Sequence, residues 1–279
     1  MAMTIRELLR KKLTQEELSL VPTSFDIMGS KEKAVAIIEI PKELEKKQGI
    51  IARAIMKKHR NVKGVLRKSS PIKGVHRVRD YELIGGNKST EIVHAENNCR
   101  FLLDPRTVYF SPRESTERLR IAEQVRDNDM VMVFFAGVGP FPIVIGKKSN
   151  PSRIIAVEIN PTAVGYLWKN IRLNKSEKIE VIMGDVSGSV SGFYGQCDRV
   201  LMPLPEKSSE YLGEAIKCLK PGGVCYFYCF SGDDLDGKKE NILFIAKSLK
   251  KKIRFIGSQK VLPYGPRIWK YRIDFELVL

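Results

Sequence analysis

From Met130 onward the chain alternates short apolar runs with helical stretches: VMVFF, PIVIGKK, RIIAVEI, PTAVGYLWKNIRLN, IEVIMGD, DRVLMPL, SEYLGEAIKCL and GGVCYFYCF. Strands that are apolar at nearly every position are covered on both faces, and helices between consecutive strands make a sheet parallel. The pattern therefore predicts an α/β domain. After a helix near Glu240 to Leu249, IRFIGSQKVLPYG and WKYRIDFELVL supply its closing strands. The stretch from Met130 to Gly146 carries no charge, but it is shorter than the ~20 apolar residues of a membrane span, and glycines and prolines interrupt it. No membrane partner is expected.

The first third reads differently. MAMTIRELLRKKLTQEELSL has no apolar leader core and reads as one amphipathic helix, so a chain that stays inside the cell is expected. Ala34 to Ile40 reads as a strand closed by Pro41, and Pro41 to Lys58 as a helix with a basic outer face. Val62 to Leu66, Tyr81 to Ile84 and Glu91 to His94 read as further short strands. Ser111-Pro112 then signals a helix with Leu119, Ile121, Ala122 and Val125 on its buried side. With 279 residues there is room for two domains: a small α+β domain over 1–103 and the α/β domain over 104–279.

Charge and cysteine usage narrow the function. Lys and Arg number 48 against 32 Asp and Glu, and the segment Lys42 to Arg79 alone holds 13 cations and two acids. Such a basic platform suits a polyanion, nucleic acid ahead of a merely solvated surface. The five cysteines show no CxxC spacing, which points to reduced thiols, and Cys225 and Cys229 read as buried strand residues. With three histidines in the chain, no metal site is expected, and His76 and His94 carry no chemistry.

The turn after the first strand of the α/β domain is FFAGVGPFPI, where Gly137 and Gly139 allow close backbone approach at the point where open α/β sheets bind cofactors. The next strand ends in Glu158, whose carboxylate can accept from both hydroxyls of a ribose, and the third ends in Gly184-Asp185. The third glycine of a dinucleotide fingerprint is missing. This combination suits an adenosine-containing cofactor without a pyrophosphate.

FFAGVGPFPI, AVEINPTAVGYLWKNIRLN, MGDV and DRVLMPLP, with HRVRDYELIGG, EIVHAENNCRF and VYFSPRESTER upstream, resemble the tRNA guanosine-37 N1-methyltransferases of archaeal and eukaryotic type, from about Val21 to Leu279. The resemblance implies a class I, Rossmann-like methyltransferase fold behind a small tRNA-binding domain. It implies S-adenosylmethionine as cofactor and the anticodon stem-loop of tRNA as partner. A sister family transfers the aminocarboxypropyl group of the same cofactor; Arg113, the Gly139-Pro140-Phe141 run and Leu204-Pro205 favour methyl transfer. A tRNA-binding protein with a decayed cofactor site is the other alternative. It is motivated by Val133, where the family usually has aspartate, and Pro203, where it usually has asparagine. Many archaeal relatives carry an additional N-terminal domain, and none is expected here. A monomer is expected.

Methylating N1 of guanosine needs a base for the N1 proton and a cation for the charge that moves onto O6. The resemblance makes Glu117 the base; from the residues alone it reads first as a helix partner of Arg113 or Arg120. Arg77 is the candidate for O6, with Arg79 as an alternative better suited to phosphate. The cofactor site so implied consists of Tyr109, Arg113, Phe135, Gly137, Gly139, Glu158, Ile159, Asp185, Val186 and Pro203.

Overall fold

Two capping boxes open the chain: Thr4 with Glu7 starts α1 (Ile5–Leu9), and Thr14 with Glu17 starts α2 (Gln15–Leu20). Thr14 Oγ1 accepts the Glu17 N–H at 3.2 Å while Glu17 accepts the Thr14 N–H at 2.9 Å. A second helix start is thereby built into the middle of the segment. The single amphipathic helix expected there is two short ones. The computed structural model describes residues 3–278 except 72, 73, 75 and 77, so Arg77 lies outside the described residues.

By contacts the chain forms two compact units, Met1–Pro112 and Arg113–Leu279. In the first, β1 (Asp26–Gly29), β2 (Ala34–Ile38), β3 (Val62–Lys68) and β4 (Tyr81–Gly86) pair in that order. Only β2 and β3 run parallel, because α3 (Gln48–Lys58) carries the chain across between them. A hairpin of β5 (Ile92–Glu96) and β6 (Cys99–Leu103) turns at Asn97 and Asn98, both with positive φ. The basic platform is partly neutralised by acids of its own unit. Arg67 pairs with Glu45 and with Glu82, its cross-strand neighbour on β4, and Lys68 pairs with Glu39. Arg79 is half-buried, its Nη1 3.9 Å from Glu39.

The second unit contains the expected α/β domain. Its helices and strands follow as α4 (Ser115–Gln124), β7 (Met130–Val133), α5 (Pro140–Lys148), β8 (Arg153–Glu158), α6 (Pro161–Asn174), β9 (Ile179–Met183) and α7 (Val186–Ser189). They continue as β10 (Cys197–Met202), α8 (Leu212–Cys218), β11 (Leu219–Ser231), α9 (Asp236–Ser248), β12 (Lys252–Gly265) and β13 (Ile268–Val278). The strand order is β12-β13-β11-β10-β7-β8-β9. Six strands, β7 to β12, run in one direction, and β13 inserts antiparallel between β11 and β12. The order reverses at β7, which has β8 on one side and β10 on the other, so the carboxyl ends of β7 and β10 flank the switch point. All five cysteines are buried free thiols; Cys225 and Cys229 sit in the core on β11. Among the described residues no helix is long and apolar enough to cross a membrane, and no cluster of side chains could hold a metal ion.

Candidate functional site

The turn between β7 and α5 is built from unusual backbone. Phe135, Gly137 and Gly139 have φ of +56°, +57° and +94°, the left-handed region that side chains resist. At Gly139 a Cβ would stand 2.4 Å from Leu167 Cδ1 on α6, so the residue is glycine both for its φ and for the approach of that helix. Three hydrogen bonds lock the path. The Ala136 N–H donates to the Val157 carbonyl at 2.9 Å, the Gly137 N–H to Glu158 Oε2 at 2.7 Å, and Asn170 Nδ2, fully buried on α6, to the Val138 carbonyl at 3.0 Å. Of the first three positions of α5, Pro140, Phe141 and Pro142, only Phe141 carries an N–H. The helix start therefore lacks most of the donors that a pyrophosphate uses.

Glu158 closes β8 as a strap between two loops: Oε2 takes the Gly137 N–H and Oε1 takes the Asn160 N–H at 2.8 Å. Asn160 in turn caps α6, accepting from Thr162 and Ala163. On the next strand, Asp185 caps α7 through the Ser187 N–H at 2.9 Å and receives the Tyr211 hydroxyl at 2.9 Å on Oδ2. Hydrogen bonds from the Ser187 hydroxyl and amide, with that of Tyr211, hold the Asp185 carboxyl below its ordinary range. Burial and the neighbouring Asp185 push the Tyr211 hydroxyl up to about 12. The Tyr211 ring meets Phe135 edge-on at 5.2 Å. Tyr211 thus joins the rim although its sequence context, a helix start in SEYLGEAIKCL, carries no sign of it.

Beside this rim lies a buried charge network. Glu117 on α4 is 2% exposed. Its Oε1 accepts from the Tyr228 hydroxyl at 2.8 Å and from Arg272 Nη1 at 2.7 Å. Its Oε2 is 3.6 Å from Arg120 Nη1, too long for a hydrogen bond, and has no hydrogen-bond partner among the described residues. Arg272 also grips Asp274 with two bonds of 2.7 and 2.8 Å. Burial works against the guanidinium charge, but the bonds to Asp274 and the charges of Asp274 and Glu117 outweigh it, and Arg272 stays above its ordinary value. Burial and the Glu117 charge push the Tyr228 hydroxyl well up, so it remains a donor. Alongside, Lys270 Nζ bonds Glu114 at 2.9 Å and the Pro203 carbonyl at 3.2 Å. Two links tie this network to the rim: Lys270 reaches the end of β10 at Pro203, and the Tyr228 ring lies 6.1 Å edge-on from Phe141 in the first turn of α5.

Of the residues named from sequence, the structure gathers Phe135, Gly137, Gly139, Glu158, Ile159, Asp185 and Val186 at the carboxyl ends of β7, β8 and β9. Ile159 is half-buried between the strand end and Asn160, and Val186 is buried as the first residue of α7. Pro203 follows β10, one strand away. Arg113 is exposed at the start of the second unit, and Tyr109, 41% exposed, belongs to the first. Val133 is fully buried between Ala156 and Leu201, a site where a carboxylate would need a partner. The helix-partner reading of Glu117 leaves a trace in Arg120, its neighbour at ion-pair distance, yet the guanidinium that hydrogen-bonds it is Arg272, 155 residues away. The signal for Arg272 is the run KYRID, which puts Lys270, Arg272 and Asp274 on one face of an otherwise apolar strand.

Residues 92–255 match the model of the TRM5/TYW2 methyltransferase domain, and residues 5–90 that of the TYW2 N-terminal domain. The chain is 40% identical over 265 residues to the tRNA (guanine(37)-N(1))-methyltransferase Trm5b of Pyrococcus abyssi, covering 94% of this chain and 77% of that one. The solved complex of aTrm5 and tRNALeu is similar, with a TM-score of 0.85 and 35% identity over all of this chain and 79% of that one. So is Pyrococcus horikoshii TYW2 in complex with MeSAdo, with a TM-score of 0.82 and 27% identity over 98% of each chain.

Proposed function

This chain belongs to the TRM5/TYW2 methyltransferase family, and from that premise we propose that it transfers a methyl group from S-adenosylmethionine to N1 of guanosine 37 in tRNA, in the cytoplasm. The observation that carries the chemistry is the buried carboxylate of Glu117, with one oxygen held by two donors and the other without a hydrogen-bond partner among the described residues. Its donor Tyr228 meets the ring of Phe141, in the first turn of the helix after the glycines, at 6.1 Å.

The rim suits this cofactor in its donor set. Carboxylates end adjacent strands, and the first turn of α5 offers little to a pyrophosphate. Glu158 takes ribose hydroxyls and Asp185 the adenine amino group, while Phe135, Gly137, Gly139, Ile159, Val186 and Pro203 wall the site. The bound cofactor supplies an electrophilic methyl group whose carbon–sulfur bonding electrons return to sulfur as the methyl leaves. Glu117 Oε2 accepts the N1 proton, so that the N1 lone pair is free to form the new bond, and Oε1 remains held throughout. Arg77, Tyr109 and Arg113 keep the roles that the resemblance implies, to be tested by substitution. The basic first unit provides the phosphate contacts for the anticodon stem-loop. tRNA affinity then falls steeply with salt while cofactor affinity hardly moves.

A second reading has one observation in its favour, the match of residues 5–90 to the TYW2 N-terminal domain: transfer of the aminocarboxypropyl group. The experiment is incubation with labelled cofactor and an unmodified tRNA transcript, followed by nucleoside mass spectrometry. A gain of one methyl on guanosine 37 supports the proposal. The larger aminocarboxypropyl adduct supports the second reading, and no adduct with intact tRNA binding supports a decayed site.

A further inference from the structure

We propose that Arg272 and Tyr228 are positioning residues for the base: together they hold Glu117 by Oε1 alone, and so assign the N1 proton to Oε2. The inference rests on the reading of Glu117 as the base and goes beyond it, because it names what makes a buried carboxylate fit for that work.

Burial alone favours the neutral form of a carboxyl group, and a neutral acid cannot take a proton. A cation bound directly to it has the opposite fault, since a carboxylate gripped at both oxygens is a poor base. The arrangement around Glu117 avoids both. Arg272 spends Nε and Nη2 on Asp274, which offsets its charge, and presents Nη1 alone to Glu117 at 2.7 Å. The Tyr228 hydroxyl adds a neutral donor to the same oxygen at 2.8 Å. Of the remaining charged groups around the site, among the described residues only Arg120 comes within ion-pair distance of Oε2, and it makes no hydrogen bond to it. Lys270 on β13 is taken by Glu114 and the Pro203 carbonyl, Arg120 on α4 stays at 3.6 Å from Oε2, and Arg118 on α4 lies over the Phe141 ring of α5 at 5.8 Å. Arg199 on β10 pairs with Asp129 and donates to the Tyr226 hydroxyl of β11. Oε2 is thus buried, lacks a hydrogen-bond partner among the described residues, and is fixed in place by the donors on its sibling oxygen. After proton transfer, Oε1 still accepts both bonds as the carbonyl oxygen of the neutral acid, so the anchor survives the step.

The test is the pH dependence of single-turnover methyl transfer for wild type, Glu117→Gln, Tyr228→Phe and Arg272→Lys, with tRNA and cofactor affinities measured separately. In wild type the rate rises with pH through the apparent pKa of the base. Tyr228→Phe removes a donor that favours the ionised form, so its midpoint moves up by about one unit and the rate below the midpoint falls about tenfold, with both affinities unchanged. Arg272→Lys keeps the charge and loses the fork; it shifts the midpoint in the same direction and lowers the plateau, because Glu117 is no longer held in one orientation. A uniform loss of rate with no change of midpoint in Tyr228→Phe would overturn the proposal, for that is what a purely structural role produces. If both variants keep the wild-type rate and midpoint while Glu117→Gln is slow, the positioning role fails and the base stands. If Glu117→Gln retains the wild-type rate, the base reading itself fails. Should Arg272→Lys not fold, Tyr228→Phe decides alone.

Discussion

The glycine turn and the Glu117 network lie side by side in one domain and are made from opposite materials. The turn is six consecutive residues, Phe134 to Gly139, and what it presents is backbone: strained φ values, directed N–H groups and a close helix approach. The network is side chains only, brought from α4, β11 and β13, with its central pair 155 residues apart. A site made of backbone survives most changes of side chain and fails when a glycine gains a Cβ. One made of buried charges fails when a single charge goes missing, because the partner is left unpaired in a dry interior. Chemistry and binding should therefore separate cleanly between the two regions.

Glu117→Gln is the sharpest way to break that separation. It keeps the shape of the side chain and its acceptor at one oxygen, and removes its basicity. The single-turnover rate should fall about 10²- to 10⁴-fold while cofactor and tRNA affinities stay nearly intact. Titration calorimetry and quenched-flow assays on the same preparation check both halves. Lost cofactor binding would show that the two regions are one energetic unit.

Arg272→Met asks what the network contributes to the fold. It leaves Glu117 and Asp274 buried without their shared cation, and the expected loss is about 3–5 kcal/mol, read as a lower urea midpoint. Glu158→Ala is the matching change in the turn. It should weaken the cofactor by about 1–3 kcal/mol, the range for charge-assisted hydrogen bonds. Because Glu158 also straps Gly137 to Asn160, part of that loss is the cost of re-ordering an unstrapped turn. Titrating cofactor into the variant measures it, and unchanged binding would remove Glu158 from the site.

The same contrast explains what could be read from the sequence. The turn was legible because everything that shapes it is local: GVG after an apolar strand, an acid at the end of each of the next two strands. The sheet was legible for the same reason, since each strand announces itself by its own apolar run. Arg272 was not. Its meeting with Glu117 depends on β13 inserting between β11 and β12, and no window of sequence records which strand will lie beside which. Sequence neighbours suggested Arg113 and Arg120 for Glu117; the bonded guanidinium comes from the far end of the chain. The platform of the first unit taught the same lesson on a smaller scale. Counting charges between Lys42 and Arg79 could not see Glu39 and Glu82, which flank the segment and which strand pairing returns to Lys68 and Arg67. The two short helices at the N-terminus, by contrast, were written locally in the repeated Thr-x-x-Glu pattern.

The smallest change tests whether side chains matter at the rim at all. Tyr211→Phe removes the hydroxyl that donates to Asp185 Oδ2 at 2.9 Å and keeps the ring that meets Phe135. Asp185 then retains Ser187 as partner, so it remains ionised and α7 remains capped. If Asp185 holds the adenine amino group, the loss of one of its fixed donors loosens its orientation, and cofactor affinity should fall by about 0.5–1.5 kcal/mol, the worth of one ordinary hydrogen bond. Because the phenol is half-buried and the ring contact is kept, the unfolding midpoint should hardly move. The rate at saturating cofactor should also hold, since nothing in this change touches Glu117. A fall in that rate with binding unchanged would mean that Tyr211 serves the reacting base rather than the cofactor, and the division between a binding rim and a chemical network would have to be redrawn through this tyrosine.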